Sequence, residues 1–295
     1  MVESPAPAAV LARLALGLVI SAGIGWLAYR RRSLARSGVL GAILTGTLIF
    51  GFGGWVAGLL LIAFFVSSSL LSHFKADNAR KQRAAEMFDK GGQRDLAQAL
   101  ANGGAATGLA VVSWLARGDP ALADALYVAM IGALATVNAD TWATELGVLS
   151  RSSPRLITQL HRRVAPGTSG GVTALGVAAA MLGATFIGLC AVVFTALARA
   201  ISGLPGARLE SLAVVAVAGV AGLAGSLFDS LLGATVQAMY YSDKRGKETE
   251  KRFERDGTPN RPIRGWSWLN NDWVNFIASL FGAAAAAGIW VILSR

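Results

Sequence analysis

Charge is scarce in this sequence. Asp, Glu, Lys and Arg make up 15% of its 295 residues, against 54% for hydrophobic ones. The mean hydropathy is +0.52. A soluble domain of this size carries more charge on its surface, so that class is excluded. There is one cysteine, Cys190, inside an apolar run. No disulfide can form within the chain and no cysteine metal site exists, which leaves packing as its expected role. The only histidines are His73 and His161, and neither stands in a metal-ligand spacing. With no histidine in a metal-ligand spacing and no cysteine nucleophile, zinc chemistry and acyl hydrolysis find little support. The N-terminal segment lacks the basic start and small-residue cleavage site of a secretory signal, so its first apolar run is expected to be a retained helix.

What is present is a series of apolar runs rich in Ala, Leu, Val and Gly. A helix needs about 20 such residues to cross the hydrocarbon core. A membrane β-barrel would instead show short segments of alternating polarity, which these runs do not. The reading is an all-α polytopic transmembrane bundle of about eight spans in a single membrane domain. The expected spans are 8–28, 38–50, 55–72, 96–116, 121–140, 171–198, 211–240 and 270–294. The second and third come from dividing one long run at Gly51-Phe52-Gly53-Gly54, where glycines mark a tight turn.

The net charge of +10 would suggest nucleic acid in a soluble protein, but its distribution argues otherwise. The loops 29–37, 73–95, 150–170 and 241–269 together hold 22 of the 27 Lys and Arg residues. With eight spans all four fall on one side, which the positive-inside rule makes cytoplasmic. Both termini then lie outside, and a multi-pass protein of the cell membrane with no nucleic-acid partner is expected. Gly219, Gly222, Gly225, Gly183 and Gly188 read as close-packing positions between helices. Trp26, Tyr29, Trp114, Tyr240, Tyr241, Trp266 and Trp268 read as interface anchors.

Acids inside a membrane are costly and usually functional. Asp140 and Glu145 lie in the segment Asn138–Gly147 with Thr141 and Thr144, all oxygen donors suited to a hard cation. Asp229 shares a helical stripe with Ser226, Ser230 and Gly233. The alternative for each is a helix cap or an interhelical hydrogen bond. The segment Arg162–Thr173 offers Gly167, Thr168, Ser169, Gly170 and Gly171 before a helix start, with Arg162 and Arg163 beside them. Backbone N–H groups in such a turn can hold phosphate oxygens, although no P-loop lysine follows the glycines. Lys90 and Arg94 could neutralise phosphate charge, and Asn271, Asp272 and Asn275 open the last span with more polar groups than one cap requires.

The segments Lys90–Asp95, Asn138–Gly147, Pro166–Thr173, Gly225–Ala234 and Leu269–Asn275 together resemble one family. It is the integral membrane family, long labelled a domain of unknown function, that includes plant phytyl-phosphate kinase and animal transmembrane protein nineteen. The resemblance runs from about Gly38 to the C-terminus in five ordered motifs. A distant similarity to polyprenol kinases and CDP-diacylglycerol synthases accompanies it. The resemblance implies a Mg²⁺-dependent membrane kinase that transfers a phosphoryl group from CTP, or another nucleoside triphosphate, to a prenyl monophosphate such as phytyl phosphate. It implies Asp140, Glu145 and Asp229 as metal ligands, with Asn138, Asn271 and Asp272 orienting the metal or its waters. Gly167, Thr168, Ser169, Gly170 and Gly171 would cradle the triphosphate, and Lys90, Arg94, Arg162 and Arg163 would neutralise it. A phosphate monoester acceptor can attack through its own oxygen, consistent with the absence of a catalytic histidine. A lipid cytidylyltransferase would use nearly the same residues, and a transporter or flippase of a small anion or lipid phosphate is the alternative from another class. The sequence leaves an oligomer open.

Overall fold

The computed structural model describes residues 7–88, 93–204, 210–254 and 256–294. The chain is a helical membrane protein. Its long helices are α1 (Pro7–Arg30), α2 (Arg36–His73), α4 (Leu96–Leu115), α5 (Pro120–Gly147), α6 (Ala174–Ile201), α7 (Glu210–Thr235) and α8 (Asn271–Leu293), with a short α3 (Ala79–Ala85) between α2 and α4. All the long helices except α4 are long and apolar enough to cross a membrane by length and composition. α4 falls short because Gln98 and Asn102 interrupt its apolar sequence.

α2 has 38 residues, and as one rod it would measure about 57 Å, nearly twice the hydrocarbon thickness. It is not one rod. Gly54 has φ 75° and ψ −168°, a left-handed conformation that costs glycine nothing, and the chain reverses there. Gly38 in the first arm abuts the Arg94 backbone, while Ser69 in the second accepts a hydrogen bond from Arg94 Nη1. Residues 31 positions apart therefore sit beside one residue, which requires antiparallel arms. α2 thus supplies two antiparallel arms, and with α4 the described residues form eight long helical segments.

α5 is the hub, packing on α2, α4, α6, α7 and α8. Its stretch from Val128 to Ala139 is buried on every side, as a helix apolar all round must be. Small residues permit this crowding. A Cβ on Gly222 would lie 2.9 Å from the Ala135 backbone, and one on Gly132 would lie 2.8 Å from the Gly282 carbonyl.

The expected spans at 171–198 and 211–240 are corrected at their ends. Gly171–Val172 is a strand, β3, and Thr173 caps α6 by accepting a hydrogen bond from the Gly176 N–H. α7 stops at Thr235, and Met239–Ser242 forms strand β4, so Tyr240 and Tyr241 lie on a sheet and do not anchor a helix end. The basic loops hold two small antiparallel sheets. β1 (Arg155–Leu156) lies between β2 (Gln159–Arg163) and β3, and β4 lies between β5 (Lys247–Thr249) and β6 (Arg261–Arg264). Both loops fold because a backbone packed over the bundle must pair its N–H and C=O groups.

The four basic loops meet at one end. The Arg94 N–H donates to the Ser33 carbonyl, and the Glu250 N–H donates to the Met87 carbonyl. Arg80 donates to the Leu149 and Ser150 carbonyls. Cysteines placed one at a time at 33, 85, 160 and 250 are therefore expected to react with membrane-impermeant thiol reagent from the same side. Labelling of position 33 from the side opposite the other three would contradict the reversal at Gly54.

Candidate functional site at the basic end of the bundle

A cavity of about 500 Å³ opens at the end where the basic loops gather. α5 contributes Asp140, Thr141, Thr144 and Glu145, and α7 contributes Ser226, Asp229 and Ser230. The turn Gly167–Gly171 forms one wall, and Asn271, Asp272 and Asn275 at the start of α8 form another. Gln98 enters from α4 and Arg94 from the segment just before it, and Lys81 enters from α3.

Asp140 and Asp229 face each other across the α5–α7 contact. Ser226 hydrogen-bonds to the Asp140 carboxylate. Asp229 lies in the field of Asp140 and also of Glu250. Its Oδ2 is buried and has no hydrogen-bond partner among the described residues. A buried carboxylate oxygen in that state is expensive, and a neighbouring acid makes it more so.

Glu145 does not join this pair. Its Oε2 forms an ion pair with Lys81 Nζ at 2.7 Å, and its Oε1 accepts from Ser72 Oγ at 2.7 Å. Lys81 is 8% exposed and also donates to the Leu71 and Phe74 carbonyls, each at 2.8 Å. Glu145 thereby ties α5 to α3 and the end of α2. Among the described residues no three His, Cys, Asp or Glu side chains gather closely enough to hold a metal ion by themselves. Glu145, expected to act with Asp140 and Asp229, is instead paired with Lys81 and Ser72.

Three other expected site residues are displaced. Asn138 is fully buried, accepts from Ser67 Oγ at 2.9 Å and donates from Nδ2 to the Gly183 carbonyl at 2.7 Å. Two residues correspond to about 200° around a helix, so Asn138 points away from the Asp140 face and into the α2–α6 contacts. Arg162 and Arg163 lie on the exposed strand β2 and do not line the cavity. Lys90 lies outside the described residues.

The glycine turn is where the sequence suggested, and packing explains its composition. Gly167 and Gly170 have φ 88° and 80°. A Cβ on Gly170 would lie 2.6 Å from Ala234 Cα on α7. Ser169 Oγ donates to Gln237 Oε1 at 2.7 Å, and Gln237 Nε2 donates to Glu250 Oε1 at 2.8 Å, so the turn is tied to the acid that neighbours Asp229. Among the described residues the N–H groups of Ser169 and Gly170 have no backbone acceptor. Gly170→Ala is expected to destabilise the protein by about 2 kcal/mol or more, from left-handed strain and the clash with α7. Thermal unfolding in detergent measures it, and an unchanged midpoint would contradict the packing.

The starts of three helices also border the cavity. Gln98 at the start of α4, Gly176 and Val177 at the start of α6, and Asn270 and Asn271 at the start of α8 all line it. Helix starts carry partial positive charge, which favours an anion, although the Gln98 and Gly176 N–H groups are already taken by Asp95 and Thr173. Lys81 and Arg94 add full charges, and burial disfavours the Arg94 guanidinium charge while Glu145 favours it. The cavity is thus lined by five acids, Asp140, Glu145, Asp229, Glu250 and Asp272, with Lys81, paired to Glu145, and Arg94 as its basic residues. Sequence reasoning missed Lys81 and Glu250. Lys81 is one of several basic residues in its loop, and Glu250 has only apposition to Asp229 to mark it.

Comparison with known proteins agrees with the architecture. The model of the integral membrane protein family DUF92 matches residues 19–283. Protein PGR of Arabidopsis thaliana is 36% identical over 277 residues, covering 91% of this chain and 93% of its own length. A membrane protein of Methanocaldococcus jannaschii, itself uncharacterized by name, is 27% identical over 283 residues, covering 96% of this chain and 97% of its own. No solved structure matches the chain. A helical membrane bundle matched by the family model over most of its length belongs to the integral membrane DUF92 family.

Proposed function

We propose that this protein is a membrane kinase that transfers a phosphoryl group from a nucleoside triphosphate, CTP or another, to a prenyl monophosphate at the cytoplasmic face. The observation that carries the reading is the buried Asp229 Oδ2, without a hydrogen-bond partner among the described residues, beside Asp140 in a cavity rich in acids that Arg94 also lines. An acid pair in that state fits a divalent cation. Mg²⁺ is commonly held by one or two carboxylates plus substrate phosphates and water, so two acids suffice. Bound there, Mg²⁺ would neutralise the phosphate charge that develops during transfer.

The chain's own residues do the positioning. Asp140 and Asp229 would hold the cation, with Ser226 beside the Asp140 carboxylate. The N–H groups of the Gly167–Gly171 turn and the starts of α6 and α8 receive the triphosphate oxygens. Asn271 and Asp272 also line the cavity and would orient the cation or its waters. Arg94 stands at the cavity edge, suited to the acceptor phosphate. The acceptor oxygen attacks the terminal phosphorus, the bond to the bridging oxygen breaks, and nucleoside diphosphate leaves with that electron pair. No side-chain base is required, because the attacking monoester oxygen is already anionic.

The test is product identification with purified protein, prenyl monophosphate, Mg²⁺ and CTP or ATP. Nucleoside diphosphate and a prenyl diphosphate are expected. Pyrophosphate with a nucleotidyl-lipid would assign a cytidylyltransferase. Substrate uptake into sealed vesicles without nucleotide turnover would assign a transporter and end the kinase reading.

A further inference from the structure

A second cavity, apolar and about 80 Å³ in volume, adjoins the first. Its walls come from α1, both arms of α2 and α4. Ile20, Ile24, Leu61 and Phe65 face it, and Gly46 and Gly103 leave room on its floor. Arg94 and Gln98 line this cavity and the polar one alike. The partition continues through Asn275 of the polar cavity, whose Nδ2 donates to Oδ1 of Asn102 in the apolar one at 3.4 Å. α1 packs on α2 and on no other helix to a comparable extent, so the space between α1 and α4 faces the lipid.

Arg94 is fixed at this junction. Its N–H donates to the Ser33 carbonyl at 3.1 Å and its carbonyl accepts from the Ala35 N–H at 2.9 Å. Its guanidinium donates to Ser69 Oγ at 3.2 Å and lies 5.8 Å from the centre of the Phe65 ring. A largely buried cation at the meeting point of a polar and an apolar cavity suits a ligand that is anionic at one end and hydrocarbon at the other.

We infer that the α1–α2–α4 groove holds the first part of a single hydrocarbon chain ending in a phosphate monoester, and that Arg94 receives its phosphate. The narrow groove admits one chain, and the rest of the tail extends between α1 and α4 into the bilayer. The inference rests on the lipid-phosphate reading of the polar cavity and specifies which wall the lipid enters by.

The experiment uses the full chain in nanodiscs with a twenty-carbon prenyl monophosphate carrying a diazirine in its tail, and the matching prenyl alcohol. Photolabelling by the phosphate probe is expected on α1, α2 and α4 residues of the groove. Arg94→Gln should lower that labelling about tenfold, the loss of one charged hydrogen-bonding partner, and leave alcohol labelling within about twofold. Beside Gly103→Ala, whose Cβ would meet Thr45 at an ordinary 3.4 Å, the larger Gly103→Leu fills the groove, with thermal unfolding checking that it folds. It should cut turnover of a twenty-carbon monophosphate about tenfold or more while a five-carbon one stays within about twofold, since only the longer chain needs the filled space. Labelling confined to α6 and α7, or equal loss for both chain lengths, would overturn the groove. Groove labelling that depends on Arg94, without turnover of any nucleotide, would keep the groove and remove the kinase.

Discussion

Asp229→Asn is expected to lower kcat about 100- to 1000-fold while the protein stays folded, inserted and at least as heat-stable as the parent. The activity loss follows from removing one of two anionic ligands from a charge-stabilising centre, where single contributions are worth about 3–4 kcal/mol. The stability follows from the same carboxylate. Its Oδ2 is buried without a partner and the group is repelled by Asp140 and Glu250. Asparagine keeps the shape and removes the charge, so the folded state loses a repulsion. Asp140→Asn should lose comparable activity, with less gain in stability, because Ser226 already supports the Asp140 carboxylate. Steady-state kinetics and thermal unfolding of the two variants check this. A drop in unfolding temperature for Asp229→Asn would show that the acid is a structural partner.

Lys81→Met is expected to destabilise the protein by about 3 kcal/mol, among the largest effects of any single substitution here. Lys81 is nearly buried, and it joins Glu145 on α5 to two carbonyls at the end of α2. Removing it leaves a mostly enclosed carboxylate without its cation, and breaking such a pair costs more than replacing both members. Lys81→Met with Glu145→Leu should therefore recover most of the loss. Glu145→Gln alone should keep activity within about tenfold, since its carboxylate serves Lys81 and Ser72 and its loss removes only hydrogen-bonding support. A loss with Glu145→Gln as deep as with Asp229→Asn would return Glu145 to the metal-binding set. Additive destabilisation in the double variant would contradict the pairing.

The fold was legible where the physics is one-dimensional. Length and hydropathy located the helices, and the glycines at 51–54 together with the basic loop at 29–37 required the α2 reversal, which Gly54 makes. The pairing of Asp140 with Asp229 was legible because an acid within an apolar run demands an explanation wherever it packs. Side-chain direction was not. Asn138 lies two residues from Asp140 and so on nearly the opposite face, spent on Ser67 and Gly183. The basic loops were read as a reservoir of charge, yet two small sheets hold Arg162 and Arg163 on an exposed strand and bring Glu250 against the site. Those placements depend on strand pairing between short segments, which leaves no periodic trace in sequence. The ion pair of Lys81 and Glu145 joins residues 64 positions apart, and nothing local distinguishes Lys81 from its basic neighbours.

The idea on which the rest depends is that Asp140 and Asp229 form a divalent-cation site. Manganese is the suitable probe, because it takes the same oxygen ligands as magnesium and its free form is counted directly by electron paramagnetic resonance. Wild-type protein in nanodiscs of zwitterionic lipid, titrated with Mn²⁺ in the absence of nucleotide, should show saturable binding at one site. Asp229→Asn should weaken that binding about tenfold or more, while Glu145→Gln leaves it nearly unchanged. Identical Mn²⁺ titrations for wild type and Asp229→Asn would contradict the cation site and, with it, the phosphoryl-transfer chemistry built upon it.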